Sequence, residues 1–243
     1  MRIFGFLKMK EKSFVHLTCN IILIVTIIAV MSISLFAPAS TIAYQDSFPA
    51  IYHGDKSKNN VSLMINVYWG TEYLDEMLSI LKDNNVKTTF FVGGCWVAKN
   101  NEYLLKIKND GHEIGNHGYF HKDGAKLSSS ENKNEIYTNH ELVKEVAGVE
   151  MNLFAPPSGS VNDIVTSAAS NLGYRTIMWS RDTIDWRDKD SELIYERATS
   201  KTIGGDLILM HPTECTVRAL DRIIKTLKNK NLNLTTVTDT LGE

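Results

Sequence analysis

The chain has 243 residues, 43% of them hydrophobic and 22% charged, with a formal net charge of −2. That length fits a single folded domain. The composition excludes a disordered or collagen-like chain, no internal repeat is present, and the near-neutral charge excludes a nucleic-acid platform.

The N-terminus stands apart. Arg2, Lys8, Lys10 and Lys12 precede an uncharged apolar run from Ile21 to Ala39. A basic region followed by an apolar segment is an export signal. Thr41-x-Ala43 offers small residues for cleavage before Tyr44, and Ala37-x-Ala39 offers a second point. The run is long for a signal peptide and near the lower bound for a membrane span. A cleaved signal and an uncleaved anchor therefore both remain open for residues 1–43. Either way the basic end stays inside and residues 44–243 lie outside, secreted or membrane-anchored. Removing four bases and one acid from a chain of charge −2 leaves −5 for the exported part, so nothing attracts it generally to phosphate polymers or anionic lipid. Cys19 comes too early in the apolar segment for lipid attachment.

Residues 44–60 are polar and read as a linker, with the folded domain starting near Val61. Val61 to Val67 reads as a buried strand. Leu74, Met77, Leu78 and Leu81 recur at helical spacing over Tyr73 to Leu81. Thr88 to Val92 is a second strand, Trp96 to Lys108 a helix, and His112 to Ile114 a third strand. Ser128 to Ser130 and Glu131 supply capping chemistry for a helix over 131–147. Leu153-Phe154 is a short strand, Asn162 to Leu172 a helix ended by Gly173, and Tyr174 to Trp179 a strand. Ser191 to Thr202 is a helix, Asp206 to Met210 a strand, Val217 to Lys228 a helix and Leu234 to Val237 the last strand. This alternation predicts an α/β fold, a distorted, incomplete (β/α) barrel of about seven strands with outer helices.

In such barrels the site lies at the C-terminal strand ends. Asn66, His117, His121, Asp182, Asp185 and His211 all fall there. His117 and His121 are four residues apart, a spacing that brings two imidazoles to one ion on a helical turn or a converging loop.

These residues sit inside motifs that resemble a known family. Lys87-Thr88-Thr89-Phe90-Phe91-Val92, Gly111-His112-Glu113-Ile114-Gly115-Asn116-His117 with His121, Pro156-Pro157-Ser158-Gly159, Asp182-Thr183-Ile184-Asp185-Trp186 and Leu207-Ile208-Leu209-Met210-His211 occur in the order found in polysaccharide deacetylases of the NodB-homology type, carbohydrate esterase family 4. The resemblance covers roughly residues 50–240. Within the family the chain is similar to sporulation-associated deacetylase-like proteins of Gram-positive spore formers. The resemblance implies a hydrolase of carbon–nitrogen bonds other than peptide bonds. It would remove N-acetyl groups from peptidoglycan or a chitin-like polymer of the cell wall or spore envelope with a divalent metal, zinc, or else cobalt or nickel. It implies His117 and His121 as metal ligands, His211 as general acid and Asp185 as the residue that orients it. Trp179 and Trp186 would wall the sugar groove together with Pro157, and the Ser158 N–H would face the developing oxyanion.

The first family motif, Thr-Phe-Asp-Asp-Gly-Pro, departs here. Its first aspartate is the base and its second the third metal ligand. The corresponding stretch reads Met64-Ile65-Asn66-Val67-Tyr68-Trp69-Gly70. Aligned on the strand, Asn66 and Val67 take those places; aligned on the glycine, Tyr68 and Trp69 do. Neither register contains a carboxylate. The family's Arg-Pro-Pro becomes Ala155-Pro156-Pro157, so the arginine that pairs with the base is lost together with it, which avoids an unpaired buried charge. Two accounts follow. The chain is a hydrolase in which Asn66 positions water and Asp182, Glu72 or Asp123 takes its proton or the metal-bound hydroxide acts alone, or it is a deacetylase-fold protein that binds glycan or serves a structural role. His112 is expected to pack near its strand, His53 and His140 to be solvated, and Trp69 and Trp96 to pack at the barrel mouth. Cys95 and Cys215 are expected near one rim, as a disulfide or as a thiolate donor to the metal.

Overall fold

The computed structural model describes residues 20–29, 31 and 49–242. The chain divides into two units, Met1–Tyr44 and Gln45–Glu243. In the first, the described residues are helical and exposed. No helix among the described residues is long and apolar enough to cross a membrane. The basic residues, both candidate cleavage points and part of the apolar run lie outside the described residues.

The second unit is an α/β half-barrel. Strands β1 (Asn60–Val67), β2 (Thr89–Val92), β3 (Glu113–Asn116), β4 (Leu153–Phe154), β5 (Arg175–Thr176), β6 (Arg181–Asp182) and β7 (Leu207–Met210) pair in the order β5-β4-β3-β2-β1-β7-β6. β8 (Asn233–Thr235) pairs with the start of β1. Every pairing is parallel. The helices are α1 (Leu74–Asp83), α2 (Gly94–Val97), α3 (Asn101–Asn109), α4 (Ser129–Ala147), α5 (Asp163–Ser170), α6 (Ser191–Thr199), α7 (Glu214–Asn229) and α8 (Val237–Leu241).

The side chains of β1 sort by the two-residue period of a strand. Val61, Leu63, Ile65 and Val67 join the large apolar cluster shared with the helices. Met64 points the other way, into a smaller inner cluster with Phe91, Leu153, Ala155, Ile177, Leu207 and Val237. Asn66 follows Met64 on that inner face. The helices cover the outer layer with apolar stripes, as α7 does with Val217, Leu220, Ile224 and Leu227. The Ser128–Glu131 capping box starts α4, and Gly148 ends it at φ 63°.

Local chemistry explains four departures from the expected elements. The helix expected over Trp96 to Lys108 is two, broken at Asn100 with φ −135° and ψ 42°. The strand expected over Tyr174 to Trp179 is β5, and a second strand, β6, follows after a short gap. A parallel crossover needs a dozen or more residues. β5 and β6 are therefore two halves of one extended run, the first pairing with β4 and the second with β7. The last strand ends at Thr235, because the Thr236 side chain accepts from the Asp239 N–H and starts α8. Pairing also begins ahead of Val61, within the stretch expected to be a linker. Ile51 bridges Ile177, His53 bridges Asp206, and the Gly54 and Asp55 N–H groups donate to Gly205 O at 2.7 Å and Thr240 O at 2.8 Å.

Candidate functional site

A cavity of about 230 Å³ opens at the C-terminal strand ends, where Asn66, Tyr68, His117, His121, Asp182 and His211 converge. The loop carrying the two histidines is built by a buried polar stripe on α4. Glu135 accepts from the Tyr119 N–H at 3.1 Å and the Phe120 N–H at 2.7 Å. Asn139 donates to Asn116 Oδ1 at 2.9 Å, and that oxygen also accepts from the Gly118 N–H. Asn132, Glu135 and Asn139 repeat at helical spacing among the apolar positions of α4, a signal present in the sequence. His121 then takes a left-handed φ of 56°, strain of about 1 kcal/mol that a residue other than glycine tolerates only when its surroundings hold it.

His117 is buried, with Nδ1 2.7 Å from the Ala155 carbonyl oxygen. Its ring centroid is 4.9 Å from that of His121. A carbonyl only accepts, so the proton sits on Nδ1 and Nε2 carries the lone pair. Burial, and then the His121 imidazole, push the His117 pKa down to about 3. Burial also lowers that of His121.

His211 follows β7, and its Nδ1 lies 2.7 Å from Asp185 Oδ1. The second Asp185 oxygen accepts from the His211 N–H at 2.6 Å and the Thr216 hydroxyl at 2.5 Å. Asp185 thus holds both the backbone and the ring of His211. It is aimed by Ile184, a β-branched residue at φ 55°, whose N–H donates to Asp182 Oδ1 at 2.8 Å.

The first-motif position is resolved by the alternation of β1. Val67 lies in the outer apolar cluster and cannot reach the histidines. Asn66 and Tyr68 both line the cavity. The Tyr68 ring stacks on His121, with centroids 3.6 Å apart and planes at 18°. Burial, and then the Asp185 charge, raise the Tyr68 pKa, so the hydroxyl stays neutral. Among the described residues no group of three or more His, Cys, Asp or Glu converges as a metal site. The buried, unpartnered His117 Nε2 is suited to a metal. The set as a whole is not, since zinc is held by at least three protein ligands and the neighbours here are an amide and a neutral phenol. The same shortage applies to cobalt and nickel.

Of the three substitute carboxylates, only Asp182 lines the cavity, and burial raises its pKa. Asp123 is paired with Lys126 at 2.8 Å and accepts from the Ser160 hydroxyl. Glu72 accepts from the Thr71 N–H at 2.9 Å and faces a separate cavity. Ser158, Trp179 and Trp186 line the groove as expected, whereas Pro157 is buried behind it in the turn Pro157–Gly159. A Cβ on Gly159 would come within 2.6 Å of the Trp179 ring, so that position requires glycine. Tyr68, Gly159 and Leu209 complete the lining. Two-residue alternation from Asn66 and from His211 would have pointed to Tyr68 and Leu209.

Cys95 and Cys215 are both free, and neither lines the cavity, so neither the disulfide nor the thiolate ligand forms. His112 packs edge-on to Phe90 and accepts from the Thr88 N–H, with its pKa pushed down to about 4 by burial first. His140 is not solvated: its ring nitrogens lie 2.5 Å from the Tyr174 hydroxyl and 2.9 Å from Glu150 Oε2. The His53 side chain is 41% exposed, with Asp206 3.6 Å away. Trp96 is buried and donates to Gly70 O at 2.8 Å, while Trp69 faces His211 at a centroid distance of 5.3 Å.

Residues 53–177 match the family model for polysaccharide deacetylase. The chain is 42% identical to the uncharacterized protein YlxY of Bacillus subtilis over 193 residues, 79% of this chain and 60% of that protein's length. It is 30% identical to a peptidoglycan-N-acetylglucosamine deacetylase of Bacillus cereus over 200 residues, 80% of this chain and 73% of the enzyme. Among solved structures, BA3943, a CE4 family pseudoenzyme from Bacillus anthracis, superposes with a TM-score of 0.78 at 38% identity, covering 80% of this chain and 69% of that one. The chain belongs to the polysaccharide deacetylase family.

Proposed function

We propose that this chain binds amino-sugar glycan of the cell envelope, of the peptidoglycan or chitin-like kind, outside the membrane, without efficient metal-dependent deacetylation. The observation that carries this reading is the Tyr68 ring lying on His121 while, among the described residues, no group of three His, Cys, Asp or Glu forms around the two imidazoles. A metal-bound water needs a third protein ligand to hold the metal and a carboxylate base to take the proton. Asn66 supplies neither, because an amide orients water without accepting its proton. The parts that would bind sugar are retained: Trp179 and Trp186 as walls, and His211 and Asp185 at one side. A peptidoglycan deacetylase at 30% identity supports the ligand class, and the pseudoenzyme at 38% supports the loss of turnover.

The purified full chain, incubated with N-acetylglucosamine oligomers with and without zinc or cobalt, is expected to bind them and to release no acetate above background. Metal-stimulated acetate release would overturn the reading. A second reading, slow hydrolysis with Asp182 as base, rests on its carboxylate in the cavity and on the rise in its pKa with burial. It requires acetate release that disappears in Asp182→Asn.

A further inference from the structure

Two hydrogen-bond acceptors in the cavity are buried and without a partner, Asn66 Oδ1 and His117 Nε2. Leaving such atoms unpaired is costly, so both call for a donor from the ligand. The His117 lone pair is fixed as an acceptor by the bond from Nδ1 to the Ala155 carbonyl. The remaining lining includes the His121 and His211 imidazoles and Ser158. Asp182 contributes a carboxylate, Tyr68, Trp179 and Trp186 contribute aromatic rings, and no lysine or arginine is among the residues that line the cavity. The position where the family carries an arginine is the fully buried Ala155. The cavity therefore offers two unpaired lone pairs, one carboxylate and π faces, and neither lysine nor arginine.

An acetamide group suits this lining poorly. It brings one N–H for two unpaired acceptors, and its carbonyl oxygen meets donors such as Ser158 and the Tyr68 hydroxyl but no arginine. A primary ammonium suits it well. It brings three donors and a positive charge, and unlike a divalent metal it needs acceptors rather than a carboxylate-bearing coordination set. We infer that the cavity selects the free amine of a de-N-acetylated hexosamine over the acetamide of its acetylated form, the ammonium donating to Asn66 Oδ1 and His117 Nε2 with the pyranose against Trp179 and Trp186. The site that in the family makes this amine would here recognise it. This inference rests on the glycan-binding reading and names the state of the sugar that the site takes.

The test is calorimetric titration of the full chain, in the presence of a chelator at mildly acidic pH, with a glucosamine tetramer and with an N-acetylglucosamine tetramer. The amine oligomer is expected to bind about tenfold more tightly or better, the value of one good charge-assisted hydrogen bond. Asn66→Ala should bring the ratio of the two affinities towards one, and Asn66→Asp should raise it. These opposite directions separate the effect from a folding defect. Equal or tighter binding of the acetylated oligomer overturns the amine preference and leaves the glycan-binding reading standing. A preference that neither substitution changes assigns it to the acidic surface and also overturns it. Binding of neither oligomer overturns both.

Discussion

Tyr68 lies flat on His121, with ring centroids 3.6 Å apart. The contact covers one face of the imidazole with an aromatic ring, where a carboxylate would have offered a charged donor. Stacking of this kind is worth about 1 kcal/mol, far less than a metal–ligand bond, but it needs no metal to be present.

Replacing that ring with a carboxylate should recreate the missing ligand. Tyr68→Asp combined with Asn66→Asp is expected to raise zinc affinity at least about tenfold over the unsubstituted chain, because three protein donors then surround the position. Competition with a colorimetric zinc chelator measures this. Unchanged affinity in the double variant would mean that Tyr68 is not what keeps the metal out.

Asp185 accepts from three donors while fully buried. Asp185→Ala strands a backbone N–H, an imidazole and a hydroxyl, and should cost about 3 kcal/mol or more. Urea denaturation would read this as a lower midpoint with an unchanged slope. A loss under about 0.5 kcal/mol would contradict the network, being no more than an ordinary surface substitution costs.

Acid should weaken the fold through His112. Its folded pKa of about 4 lies below the ordinary imidazole value of 6.5, so between these values the unfolded chain binds more protons. Stability therefore falls as pH drops from 6.5 towards 4, and levels off below that. The loss from this one group between pH 7 and pH 5 is about 2 kcal/mol. His112→Asn, which keeps an acceptor for the Thr88 N–H, should remove that part of the pH dependence. Identical slopes for both proteins in urea melts across this range would refute the assignment.

The barrel was legible because alternating apolar strands and amphipathic helices leave few other packings, and the ends of β1, β2 and β7 fall within a residue or so of their expected places. Legibility failed where pairing partners rather than propensity decide. Ile51 and His53 lie in a polar stretch and join the sheet by single bridges. The run Arg175–Asp182 changes partners midway, which no local pattern announces. At the site, His117, His121, Asp185 and His211 could be placed from spacing and motif order. Which residue of the first motif met the histidines depended on strand parity: counting in twos from Met64 gives Asn66 and Tyr68 and leaves Val67 outside. The hydrogen-bonded role of His140 depended on Tyr174, distant in sequence, and could not be read from its neighbours.

The His117 ring is aimed by the main-chain oxygen of Ala155. A carbonyl belongs to the path of the backbone, and no exchange of side chain at position 155 removes it. An imidazole held in this way keeps its direction whichever side chains line the rest of the site. A chain without the carboxylates retains a correctly pointed ligand, and supplying them at Asn66 and Tyr68 requires no rebuilding of the histidine loop.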